Sequence, residues 1–161
     1  MRYCIFFFLI FMSSCISFKG INIPTEMKSY YVADTEVSAR NAPAELGQIF
    51  SETLRKVVQT QTRLVLDEED PDIVFTPVIT RYVVNAVAPV EGTTVAFNRL
   101  DVSTSIDYEN FIDDTKSRKL SYNSFQDFES TLNLQDVEFD LIDEIFEEII
   151  DRAFNDTFTD W

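Results

Sequence analysis

The stretch LDVSTSIDYE, residues 100–109, alternates without a break: Leu100, Val102, Thr104, Ile106 and Tyr108 on one parity, Asp101, Ser103, Ser105, Asp107 and Glu109 on the other. Successive side chains of a strand point to opposite faces, so this pattern predicts a half-buried strand with one face in a core and one in water. Sheets wet on one side belong to antiparallel architectures. The layer that covers the dry side must then come from elsewhere in the chain.

Two helical patterns supply it. PAELGQIFSETLRKVVQT (43–60) places Leu46, Ile49, Phe50, Leu54, Val57 and Val58 at helical spacing behind Pro43, where proline is tolerated. LQDVEFDLIDEIFEEIIDRAF (134–154) repeats apolar pairs four apart, Leu141-Ile142, Ile145-Phe146, Ile149-Ile150 and Ala153-Phe154. That is a broad stripe, and Asp140, Asp143, Glu144, Glu147, Glu148 and Asp151 read as its solvated side.

Between and around these lie the other strands: MKSYYVAD (27–34), the long run IVFTPVITRYVVNAVAPV (73–90) and RKLSYNSFQDFES (118–130). Residues 35–41 read as a polar connection. Pro77 argues for a bulge or an edge position in the second of these strands. Val95 and Phe97 are out of phase with Leu100 onward, which predicts a bulge near Asn98-Arg99. The order β-α-β-β-β-α gives an α+β fold: two helices packed on one face of a mainly antiparallel four-stranded sheet. Strands of some 15 residues reach about 50 Å, whereas an 18-residue helix covers about 27 Å. Strand ends should therefore project past the helices, as a docking surface rather than a catalytic pocket.

The first 26 residues read differently. Arg2, the apolar run IFFFLIFM (5–12) and Ser13-Ser14 describe a secretory signal too short to span a bilayer. Met12-Ser13-Ser14-Cys15 resembles a lipobox, so residues 1–14 are expected to be removed and Cys15 acylated, with 15–26 as a lipidated tether and 27–161 as the domain. An ordinary signal peptide with Cys15 incidental is the alternative. ISFKG (16–20) carries no acidic run after the cysteine, which agrees with a periplasm-facing anchor in the outer membrane.

Composition excludes much chemistry. Without Arg2 the chain carries 12 basic against 28 acidic side chains, a formal charge of −16, so no nucleic acid or anionic surface is bound through the overall field. The chain has no histidine and one cysteine outside the signal. Zinc sites of the His/Cys type and Ser-His or Cys-His nucleophile pairs are excluded, and no cofactor is expected. DEEDPD (67–72) reads as a solvated turn, with a weak calcium site as the alternative, and Asp113-Asp114 is judged the same way. Lys116, Arg118 and Lys119 form the densest basic group, suited to phosphates, or else are solubilising charges beside those acids. Arg99 is a second candidate, with a cross-strand ion pair as the alternative.

Several segments, taken in order, resemble the LptE family: SFKGINIPTEMKSYYV (17–32) after Cys15, the helix ending in QTQTRL, then FNRLDVSTSIDYEN, NSFQDFES and the terminal LIDEIFEEIIDRAFNDTFTDW with Trp161. The resemblance covers nearly the whole chain after the signal. It implies an α+β outer-membrane lipoprotein that is not an enzyme, sits as a plug in the LptD β-barrel, helps that barrel assemble and contacts lipopolysaccharide during its insertion. The resemblance carries over no site residues, and a lipid-anchored adaptor of another envelope transport machine is the other reading of the same features.

Overall fold

A computed structural model describes residues 23–88 and 96–159. Cys15, the signal and the tether up to residue 22 lie outside the described residues, as do residues 89–95 and 160–161. The elements run β1 (Ser29–Val32), β2 (Glu36–Val37), α1 (Glu45–Gln61), β3 (Val65–Leu66), β4 (Ile73–Val87), β5 (Phe97–Asn110), β6 (Arg118–Glu129) and α2 (Leu134–Phe158), with a 3-10 turn at Asp114–Lys116 before β6. Both helices and the long strands fall within a few residues of where periodicity placed them.

The class is α+β, as expected, but among the described residues the sheet has six strands and is mixed. Its order is β3-β1-β4-β5-β6, with β2 also on β4. The β4-β5 and β5-β6 pairs are antiparallel. The pairs β1-β3, β1-β4 and β2-β4 are parallel. The four expected strands are joined by β2 and β3, two residues each, too short for alternation to show. Helix α1 is the crossover that parallel pairing of β1 and β3 requires.

The bulge is also displaced from its expected place. Register runs unbroken from Phe97 through Val102 against both neighbours, and shifts instead between Ile79 and Arg81 on β4. Phe97 is apolar, but it stands on the wet face in phase with Arg99 and Asp101, so the phase never reversed. Pro77 falls where β1 has stopped pairing at Phe75 and β2 begins at Val78, a gap that tolerates its missing N–H.

Helix α1 buries Leu46, Phe50, Leu54 and Val58, one turn apart. Gly47 lies among them because a Cβ there would sit 2.5 Å from the Thr35 carbonyl oxygen. Close approach also lets the Ser51 hydroxyl accept from the Thr35 N–H at 2.8 Å and donate to the Gly47 carbonyl at 3.0 Å. Helix α2 buries Ile142, Ile145, Phe146, Ile149, Ile150, Ala153, Phe154 and Phe158. An edge-to-face contact of Phe50 with Phe146, 4.9 Å between centroids, joins the two helices. Beneath them Tyr30, Val32, Ile73, Phe75, Ile79, Leu100, Val102, Ile106 and Tyr108 are at most 2% exposed, each side chain contributing roughly 1.5–3 kcal/mol of burial.

Polar bonds fasten α2 along the sheet. The Tyr82 hydroxyl donates to Glu138, Ser124 to Glu148, and Tyr122 to Asp156 at 2.8 Å, while Arg152 donates to the Asn123 carbonyl at 3.0 Å. Glu148, expected in water, thus serves as a strap to β6. Burial pushes the Tyr82 and Tyr122 phenols up, and the neighbouring carboxylates push them further.

Candidate interaction surface

Because α1 and α2 lie on the same face, the opposite face of β4, β5 and β6 has no helical cover among the described residues. Its rows follow from the register: Arg81-Ser103-Asn123, Val83-Asp101-Phe125 and Asn85-Arg99-Asp127. At the centre the Asp101 carboxylate accepts from Arg81 Nε at 3.1 Å and from Asn123 Nδ2 at 2.8 Å, and Asn123 reaches Ser103 Oγ at 3.1 Å. Further along, Arg99 Nε and Nη2 donate to the two Asp127 oxygens at 2.7 and 2.9 Å. The Arg99 guanidinium carbon stands 3.7 Å over the Phe125 ring. A fork held at one edge and stacked on one face keeps further N–H donors free to meet an anion. The Asp127 hydrogen bond raises the Arg99 pKa, and the same bond holds the Asp127 carboxyl below its usual range.

The basic candidates are not brought together. Arg118, opposite Tyr108, is on the covered side, where its guanidinium donates to the Asp156 carbonyl near the end of α2 and favours that helix terminus. Lys119 faces outward opposite Asp107. Lys116 ends the 3-10 turn and is itself engaged. Arg99 is eight residues along β5 from Asp107, about 26 Å away. For Arg99, the cross-strand pair is what forms.

The acidic turns have structural employment. Asp67 Oδ1 accepts from the Glu69 and Asp70 N–H groups at 3.0 and 3.2 Å. Asp72 Oδ2 accepts from Lys28 N and Ser29 N at 2.6 and 3.0 Å, chiefly the Lys28 bond holding its carboxyl below the usual range. Asp113 accepts from the Thr115 N–H and hydroxyl, which lowers its pKa likewise, the hydroxyl bond most. Among the described residues no group of three or more His, Cys, Asp or Glu is placed to hold a metal ion.

Arg81, Asn123, Phe125 and Asp127 belong to the open face yet were not singled out from sequence. Asn123, Phe125 and Asp127 do share one parity in NSFQDFES, but Phe125 and Phe128 are of opposite parity and hide which one is outward. Arg81 lies just past the bulge, where its phase cannot be read off Ile73 to Ile79.

The sequence pattern of the LptE family, described as lipopolysaccharide-assembly, matches residues 27–157. No curated protein sequence matches the chain. Similar solved structures include a hypothetical protein from Chlamydia trachomatis, with TM-score 0.53 and 12% identity over 81% of this chain and 98% of that one. A homolog of the neuraminyllactose-binding hemagglutinin from Helicobacter pylori has TM-score 0.55 and 7% identity over 85% and 86%. A protein from Xanthomonas campestris has TM-score 0.51 and 8% identity over 80% and 82%. At such identities these three share the fold alone.

Proposed function

We propose that this chain, which belongs to the LptE family of lipopolysaccharide-assembly proteins, is a non-enzymatic outer-membrane lipoprotein that plugs an LptD-type β-barrel, helps it assemble and assists lipopolysaccharide insertion. The supporting observation is the one-sided cover of the sheet. Barrel interiors are polar and wet, and the uncovered face offers Arg81, Asp101, Ser103, Asn123, Arg99 and Asp127 bonded to one another, with guanidinium donors left over on the two arginines. Such a face loses little on exchanging water for a polar wall. The net acidity of the chain calls for a barrel wall with basic side chains opposite.

Acyl chains on Cys15 hold the domain at the periplasmic leaflet and raise its effective concentration at the barrel mouth. The far end of β4, where Val84 is 39% exposed, reaches inward past α1. Lipid A phosphates meet Arg99 through its remaining donors, whereas Lys116 and Lys119, at the opposite end beside Asp107, Asp113 and Asp114, serve as solubilising charges. Arg118 contributes by fixing the end of α2.

The test is a pull-down from detergent-solubilised outer membranes with photo-crosslinkers at Ser103 and Ser121. A large barrel protein crosslinked through both positions is expected. Recovery of an envelope complex without a barrel would replace this reading by the lipid-anchored adaptor. Mass spectrometry of the extracted protein should find Cys15 acylated and Cys4 absent.

A further inference from the structure

The end of the sheet where the chain enters holds four large apolar side chains in water. Val65 is 68% exposed, Phe111 60%, and Leu66 and Ile112 47% each. They border one continuous row. Val65 N donates to the Lys28 carbonyl at 2.9 Å, Lys28 N donates to the Asp72 carboxylate at 2.6 Å, and Phe111 N donates to the Asp72 carbonyl at 2.9 Å. At strand spacing this row spans about 14 Å.

The turn that presents Phe111 and Ile112 is locked rather than loose. Asn110 is 1% exposed, and its Oδ1 accepts from Ile112 N and Asp113 N at 3.0 and 2.9 Å while its Nδ2 donates to the Tyr108 hydroxyl at 3.2 Å. Both apolar side chains are therefore held outward by a buried amide. The first described residues lie here as well: Arg63, two residues before Val65, donates to the carbonyls of Ile23 and Pro24 at 2.9 and 2.7 Å. Cys15 is eight residues upstream of Ile23, a reach of at most about 28 Å.

We infer that this row is a second, non-covalent membrane anchor, in which Phe111 and Ile112, flanked by Val65 and Leu66, dip into the zwitterionic phospholipid surface of the leaflet that holds Cys15. Its place beside the tether rests on the acylation reading, whereas the insertion itself rests on the exposed row. The same end carries Asp67, Glu68, Glu69, Asp70, Asp72, Asp113 and Asp114 against Lys28, Arg63, Lys116, Arg118 and Lys119, so an anionic surface is repelled and apolar transfer drives the contact. Among the described residues no helix is long and apolar enough to cross a membrane. Docking at this end stands β4 upright, with Val87 pointing away from the leaflet and toward a barrel lumen.

The test uses full-length acylated protein in vesicles of phosphatidylcholine and phosphatidylethanolamine, with brominated acyl chains as quencher. Trp161 is replaced by Phe so that single reporters, Phe111→Trp at the docked end and Phe97→Trp at the far end, can be compared. Quenching at position 111 should exceed that at 97 by about threefold or more, because insertion reaches only some 5–10 Å into the interface. It should fall when anionic phosphatidylglycerol is added. Equal quenching at the two positions, or none at 111, overturns the inference, and since these vesicles lack lipopolysaccharide and barrel, it would assign the row to one of those partners. A Cys15→Ser chain should bind more weakly yet keep the quenching of its bound fraction. Undiminished binding by that variant would instead sink the acylation reading and leave the docking intact.

Discussion

Along β5 two faces lie one residue apart and have different work. Leu100, Val102, Thr104, Ile106 and Tyr108 face the helices and are at most 1% exposed. Arg99, Asp101 and Ser103 face water and bond one another's neighbours on β4 and β6. The first set contributes stability through area removed from water. The second forms exposed ion pairs, each worth about 0–1 kcal/mol, so it contributes order and pattern rather than energy. A surface that can be altered without unfolding the domain is free to be fitted to a partner, and that is the physical case for placing interaction on the open face.

The sharpest way to break this contrast is to put one carboxylate on each side. Ile145→Asp, at a position 0% exposed, should destabilise by more than about 4 kcal/mol, since an unpaired charge enters the core. Ser121→Asp on the open face should shift stability by no more than about 0.5 kcal/mol. Paired thermal melts decide, and equal shifts would dissolve the distinction.

Alkali tests the covered side next. Burial pushes the Tyr108 phenol up to about 12, against smaller lowering by Asn110 and Arg118, and Tyr30, Tyr82 and Tyr122 are raised as well, by burial first. A phenol that stays neutral in the fold lends stability that is complete below its unfolded pKa of about 10 and is lost as pH climbs through the folded value. For Tyr108 the loss is on the order of 3 kcal/mol. Absorbance at 295 nm should therefore show tyrosines ionising together with unfolding between about pH 10 and 12.

A smaller effect separates helix propensity from packing. Gly47→Ala favours the helix by about 1 kcal/mol, but its Cβ would meet a backbone oxygen at 2.5 Å, so a net destabilisation of about 1–3 kcal/mol is expected in urea titrations. Acid probes the join of β1 to β4: the Asp72 carboxylate, lowered chiefly by the Lys28 N–H, stabilises above the usual carboxylate pKa and ceases to do so as pH falls through its lower folded value. Asp72→Asn should flatten the acid limb of the stability profile. Smallest of all, Arg99→Ala should leave the melting temperature within about 2 °C while weakening capture of the barrel and of lipopolysaccharide.

Much of this was legible in the sequence because burial imprints periodicity. The stripe through Ile142, Ile145, Ile149 and Phe154 located α2, and the alternation from Leu100 to Tyr108 assigned both faces of β5. What alternation leaves silent is the neighbour. The parallel seats of β1 and β3, and the two-residue β2 against Val78 and Ile79, depend on which backbone lies alongside.

The candidate surface divides in the same way. The sequence alone determined the residue types: an acidic chain without histidine, with basic side chains near 99 and 116–119. Only the tertiary structure decided their placement, setting Arg99 on Phe125 against Asp127, turning Arg118 inward to the end of α2, and leaving Phe111 and Ile112 in water beside the chain entry. The reason is that hydrophobicity fixes a side chain's average preference for burial, while its actual exposure depends on whether another element is long enough, and correctly paired, to cover it. Phe97, Phe111 and Phe125 are as apolar as Phe75, and only Phe75 lies under a helix.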